Sequence, residues 1–299
     1  MILDINANLI NQKIDEYLLW LYKTDLVTDK CLLNEYSKKL HSLKINEIFD
    51  APGDARITFD GNLEYCVSNI TLQMMYNGEY YIDEVLFHEF THVINSFHNS
   101  LSVKDGFIIK DAIEDKMDNF TNTELLVQED KLLYNQDPCF GVIMLDEYVA
   151  QSVAQELVKT KYNTLDDKAK QRYAKNGLAG YQKRNYTTRI SEPPYHLVTS
   201  LGDYQEYDLP TKMFIEKYLH ISHIEFIKRA INGDLLRNII ANLDFEEAEE
   251  IYFDLCYLGL IENALAIHRG FRKENNPNDP VNNPKNVYKA FKKVLKKDN

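Results

Sequence analysis

The chain has 299 residues, room for one large domain or two ordinary ones. Hydrophobic residues make up 44% and charged residues 27%, with 11 Gly and 8 Pro, which excludes disordered, collagen-like and low-complexity classes. Its 46 acids against 34 bases leave a net charge of -12, and a field of that sign repels phosphate, so nucleic acid is excluded as a partner of the surface as a whole.

Residues from about Asn8 to Lys23 and from about Asp29 to Leu43 carry apolar side chains at three- and four-residue spacing, which predicts two helices. A break follows at Ala51-Pro52-Gly53-Asp54. Arg56 to Phe59 and Glu64 to Met75, parted by Asp60-Gly61-Asn62, are rich in aromatic and β-branched residues and predict short strands, the one sheet segment expected here. The stretch from about Tyr81 to Phe97 holds no Gly or Pro and predicts a helix. Further helices are expected near Thr123 to Tyr134 and from about Ile143 to Lys159, the latter after the turn Asp137-Pro138. Residues 161 to 207 are irregular, and helical segments run from Pro210 to Gly270. A Pro/Asn linker, Asn275 to Pro284, leads to a basic terminal helix. The expected fold is α+β and predominantly α, arranged as an N-terminal helical segment (1–50), a core with a small sheet before its central helix (51–207) and a helical C-terminal region (208–299).

No apolar stretch approaches the ~18 residues that span a bilayer, and the first residues lack the basic-then-apolar order of a secretory signal. The expectation is a cytoplasmic protein without stable membrane insertion, delivery by another route staying open. Cys31, Cys66, Cys139 and Cys256 lie far apart with no Cys-x-x-Cys pair, as free thiols of a reducing compartment do. The tail carries Lys289, Lys292, Lys293, Lys296 and Lys297 between apolar residues, a pattern that suits a solvated helix covering an acidic part of the same protein, or an anionic surface.

The chemistry concentrates in residues 85–94, VLFHEFTHVI. His88 and His92 are four residues apart, so both imidazoles leave one face of a helix and can grip one zinc ion. Glu89 beside them can accept a proton from a metal-activated water. The flanks Val85, Leu86, Phe90, Thr91, Val93 and Ile94 are uncharged, as a buried helix beneath a metal site requires.

Catalytic zinc usually has three protein ligands and an open position for water. His98 is one candidate for the third, provided the chain turns out of the helix at Asn95. Glu147 is the second candidate: in LDEYVAQSVAQEL it shares a helical face with Ala150, Gln151 and Ala154, and small residues there let a second helix press close to the first. After the Pro193-Pro194 turn, Tyr195 and His196 can reach over the site as donors to an oxyanion.

The ten-residue stretch resembles the extended signature of the zincin metallopeptidases. With Glu147 followed three residues later by Ala150 it is similar to the gluzincin type, loosely the lethal-factor and Mlc-titration-factor group, over roughly a third of the chain. His92 and His98 together also resemble the metzincin pattern, with Asn95 in place of the usual Gly. The gluzincin resemblance implies a zincin-like core in residues 51–207 with an edge strand that pairs with extended substrate. It also implies one Zn²⁺ on His88, His92 and Glu147, and hydrolysis of a peptide or protein substrate with Glu89 as general base. The Tyr that in several gluzincins precedes the third ligand has its nearest match upstream at Tyr134, while Cys139 and Phe140 fill the closer positions. An alternative reading is a regulatory or binding protein that keeps a zincin-like fold and a structural or weakly active metal site.

Overall fold

The structure is a computed structural model that describes residues 2–48, 53–57, 63–68, 81–97, 138–171, 188–190, 197–199, 205–233, 245–268 and 284–294. Eight helices and five short strands are assigned among them: α1 (Ile2–Lys23), α2 (Lys30–His41), β1 (Lys44–Ile48), β2 (Gly53–Ile57), β3 (Leu63–Ser68), α3 (Tyr81–Phe97), α4 (Pro138–Asn163), β4 (Thr188–Ile190), β5 (Leu197–Thr199), α5 (Gln205–Tyr218), α6 (His223–Ile231), α7 (Phe245–His268) and α8 (Pro284–Val294). The architecture is mostly helical with little sheet, as expected. By contacts the chain forms two compact units, one from Met1–Phe97 with Val149–Gln205, the other from His98–Tyr148 with Glu206–Asn299.

In the first unit α1 buries Ile10, Ile14, Tyr17 and Leu21, a stripe at spacings of four, three and four. It packs against α2 and α3. Asp29 caps α2, its carboxylate accepting from the Cys31 amide at 2.8 Å, so the helix proper starts one residue after the expected Asp29. The sheet has the order β1-β3-β2, with β1 parallel to β3 and β2 antiparallel to it. β1 is a strand that the sequence pattern does not disclose: it follows α2 after two residues and has no Gly or Pro before it. β2 begins at Gly53, inside the expected break. β4 and β5 form a second, antiparallel pair within the stretch read as irregular.

The helix α3 occupies the range that the pattern predicts. It packs against β2, α1 and α2 and is buried almost all round. Phe87 and Phe90 meet the Tyr17 ring at 5.4 and 5.6 Å between centroids, and Tyr65 of β3 lies 5.7 Å from Phe90. Thr91 donates to its own helix at Phe87 O (2.7 Å) and meets the Tyr17 hydroxyl at 2.9 Å, so its polar atom is satisfied in the core. At the start of α3, Asp83 is 2% exposed and bonded by two ammonium groups, Lys13 of α1 and Lys161 of α4, each at 2.5 Å. Glu16 of α1 pairs with both lysines. Burial works against every charge here, pushing the Asp83 carboxyl up, but Lys13 and Lys161 outweigh it and hold Asp83 below its ordinary value. Burial likewise pushes Lys13 down, and Asp83 and Glu16 outweigh that together with the repulsion from Lys161, so Lys13 lies above its ordinary value.

In the second unit the helix α6 is capped by Ser222 and buries Phe226, Ile227, Ala230 and Ile231. α5 begins at Gln205, five residues before the expected start at Pro210, and Pro210 sits inside its second turn. Lys217 and Tyr218 both bond Asp254 of α7, at 3.2 and 2.7 Å. Gly141, near the start of α4, presses against α7 so closely that a Cβ there would stand 2.2 Å from Leu255 O. The basic helix α8 packs on α7, with Ala290 and Val294 inward and Lys289, Lys292 and Lys293 exposed. All four cysteines are free thiols, Cys31 exposed and the others buried. Among the described residues no helix is long and apolar enough to cross a membrane. The helix expected at Thr123 to Tyr134, the Asn275 to Asn283 part of the linker, and Lys296 and Lys297 lie outside the described residues.

Two outcomes follow from this packing. Because the folded-state value of Asp83 is depressed, its contribution is complete above the ordinary carboxylate range and is lost as pH falls through that depressed value; Asp83→Asn removes it at neutral pH, leaving the Lys13 and Lys161 ammonium groups without that carboxylate, at a cost of about 3 kcal/mol in urea denaturation. Gly141→Ala, whose new methyl meets backbone that cannot swing away, costs about 1 to 3 kcal/mol in the same assay.

Candidate metal centre

Among the described side chains of α3, those that face away from the Tyr17 contact, Val85, Glu89 and His92, are half-buried. His88, a turn before His92, is 6% exposed. The two imidazoles converge: their Nε2 atoms are 2.9 Å apart and the rings stand edge to face, 4.6 Å between centroids. Two nitrogens on one tetrahedral zinc, each at the usual Zn–N length, are about 3.3 Å apart, so the pair is already close to the spacing that a shared ion imposes.

Across from this face runs α4. It starts at Pro138, earlier than the expected Ile143, because proline lacks only an amide hydrogen that the first helical position does not use. The boundary between the two units falls inside α4, after Tyr148, and the helix is continuous across it. Ala150 and Ala154 are fully buried, as close approach of a second helix requires. The Gln151 side chain reaches α3 twice, its Oε1 at 3.1 Å from His88 Nδ1 and its Nε2 donating to Glu84 Oε1 at 2.5 Å. Glu147 precedes Gln151 by one turn on the same face. One ligand atom from each of His88, His92 and Glu147 falls within 4.8 Å of the other two.

Two imidazoles and a carboxylate, gathered from two mostly buried helices, form a donor set that fits zinc. Glu147 is half-buried on a helix whose neighbouring positions Leu145, Tyr148 and Val149 are buried, so it is not the solvated acid of an amphipathic surface helix. Glu89 lies next to His88 in the chain, on the half-buried stripe, and is not part of the triad.

The other sequence candidates fare differently. The helix α3 runs on through Asn95, which is buried, to Phe97, so the turn at Asn95 on which the metzincin-like reading depends is not made. His98, Tyr134, Tyr195 and His196 lie outside the described residues. Glu84 and Gln151 have partners that the motif does not announce; the signal that could find them is position, since Glu84 is one turn before His88 and Gln151 one turn after Glu147. No family model, no curated protein and no solved structure matches this chain.

The site predicts one zinc ion per chain, measurable by elemental analysis after loading and desalting. His92→Ala and Glu147→Ala each lose it or bind it far more weakly, while Cys31→Ser, at an exposed thiol, keeps it.

Proposed function

We propose that this protein is a zinc-dependent metallopeptidase, in which His88, His92 and Glu147 hold the metal and Glu89 is the general base. The observation that carries the reading is the convergence of the three ligand atoms within 4.8 Å, with Glu89 adjacent on the less buried side of α3. Bound by these three side chains, zinc would supply Lewis acidity for a peptide carbonyl and would bring the pKa of water toward about 7. Glu89 takes the proton of the attacking water and delivers it to the amide nitrogen as the C–N bond breaks, so one carboxylate serves as base and then acid.

The scaffold supports that assignment. β2 has β3 on one side, and on its other edge no strand is paired among the described residues; it packs against α3 and so offers an edge beside the metal helix to an extended peptide. Tyr195 and His196 are the proposed oxyanion donors, from the segment between β4 and β5. Peptide or protein is accordingly the proposed substrate class. Four free thiols accord with work in a reducing, cytoplasmic setting.

Glu89→Gln separates the roles. It keeps zinc, since Glu89 is not a ligand, and lowers hydrolysis of a cleaved peptide by about 10² to 10⁴-fold, read by mass spectrometry of a peptide library. Undiminished cleavage in that variant contradicts the assignment.

A further inference from the structure

We infer that Glu84 and Gln151 form a tautomer lock on His88, an inference that rests on His88 being a metal ligand. A neutral imidazole carries its proton on either nitrogen, and only the nitrogen without it can hold a metal. Here the choice is made two links away. Glu84 is a carboxylate at the α3–α4 contact, with 7% of its surface exposed, and as a carboxylate it can only accept hydrogen bonds. The Gln151 amide, 4% exposed, therefore turns its NH₂ toward Glu84 Oε1 (2.5 Å), which leaves its carbonyl oxygen facing His88 Nδ1 at 3.1 Å. A carbonyl oxygen accepts and cannot donate, so Nδ1 must carry the proton. The lone pair of His88 is then on Nε2, the atom 2.9 Å from His92 Nε2 and turned away from Gln151.

The arrangement closes on itself, because Glu84 and His88 are one turn apart on α3 and Gln151 bridges them from α4. An amide alone would not suffice: free to turn over, it would offer NH₂ to Nδ1 as readily as oxygen and would favour the proton on Nε2, where it blocks the metal. Glu84 removes that freedom. Gln151 is thus a positioning residue and Glu84 positions it in turn, in the way that outer partners orient metal-bound histidines.

Three isosteric variants test the lock, using the 299-residue chain labelled with ¹⁵N-histidine. Two quantities are read: the tautomer of His88 in metal-free protein from long-range ¹H–¹⁵N correlations, assigned by the signal lost in His88→Gln, and zinc affinity by competition with a chelator. In the wild type His88 is expected as the Nδ1–H form. Glu84→Gln, which keeps the volume but frees the amide, shifts His88 toward Nε2–H and weakens zinc by about 10 to 100-fold. The exchanged pair Glu84→Gln with Gln151→Glu places a carboxylate directly on Nδ1 and a donor behind it, and restores both the tautomer and the affinity. Gln151→Glu alone keeps the Nδ1–H form. An unchanged tautomer in Glu84→Gln, or a loss in that variant which the exchanged pair does not recover, overturns the inference. If the wild type takes up no zinc, the metallopeptidase reading fails, while the tautomer measurement still decides the lock by itself.

Discussion

A polar group on a buried helix has to be met by a partner, and α3 carries more of them than any other helix described here. Asp83, Glu84, His88, Thr91 and Asn95 all lie in its interior-facing surface, alongside Leu86, Phe87, Phe90, Val93 and Ile94. Desolvating that many polar atoms is tolerated only where each gains a hydrogen bond or an opposite charge. For Asp83, Glu84, His88 and Thr91 the neighbouring helices supply them. α1 provides Lys13 for Asp83 and Tyr17 for Thr91; α4 provides Lys161 for Asp83 and Gln151 for Glu84 and His88. Structure and site are therefore built on one requirement, and the helix that brings the imidazoles together is held at its start by charge and along its length by aromatic packing.

The two kinds of anchor act at different ranges. Tyr17, Phe87, Phe90 and Tyr65 give area and shape, fixing where α3 sits against α1 and β3. The charged cluster of Lys13, Glu16, Asp83 and Lys161 is directional, and it ties the first turn of α3 to two other helices. Such a cluster adds little net stability over a well-packed apolar one, but it is intolerant of losing a member, and that intolerance specifies how the three helices meet. A site that needs three ligand atoms within 4.8 Å benefits from that specification, since a small slip of α4 along α3 would carry Glu147 away from the imidazoles.

Much of this is legible in the amino-acid sequence. The apolar spacing of residues 81–97, unbroken by Gly or Pro, marks α3 at both ends, and the four-residue interval of His88 and His92 fixes their common face because a helix repeats at 3.6 residues. Glu147 is legible for the same reason, with Ala150 and Ala154 announcing a close helix contact. β1 is not, because KINEI follows a helix without turn residues and takes its strand conformation only by pairing with β3, some 20 residues later. Nor is the charged cluster, whose members lie 70 and 78 residues apart and meet only once the helices pack. The turn at Asn95 that the His98 alternative requires is absent: Val93, Ile94 and Asn95 are buried within the continuing helix, as the apolar pattern to Phe97 predicts.

The central claim is that two imidazoles of α3 and one carboxylate of α4 surround a single zinc ion. X-ray absorption at the zinc edge, on protein loaded with one equivalent, tests it most directly. The account predicts a shell of two imidazole nitrogens and one or two carboxylate oxygens with a water, at about 2.0 to 2.2 Å and without sulfur, a shell that His92→Ala abolishes along with tight zinc binding. A sulfur shell near 2.3 Å, or a six-oxygen shell indifferent to His92→Ala, would contradict it.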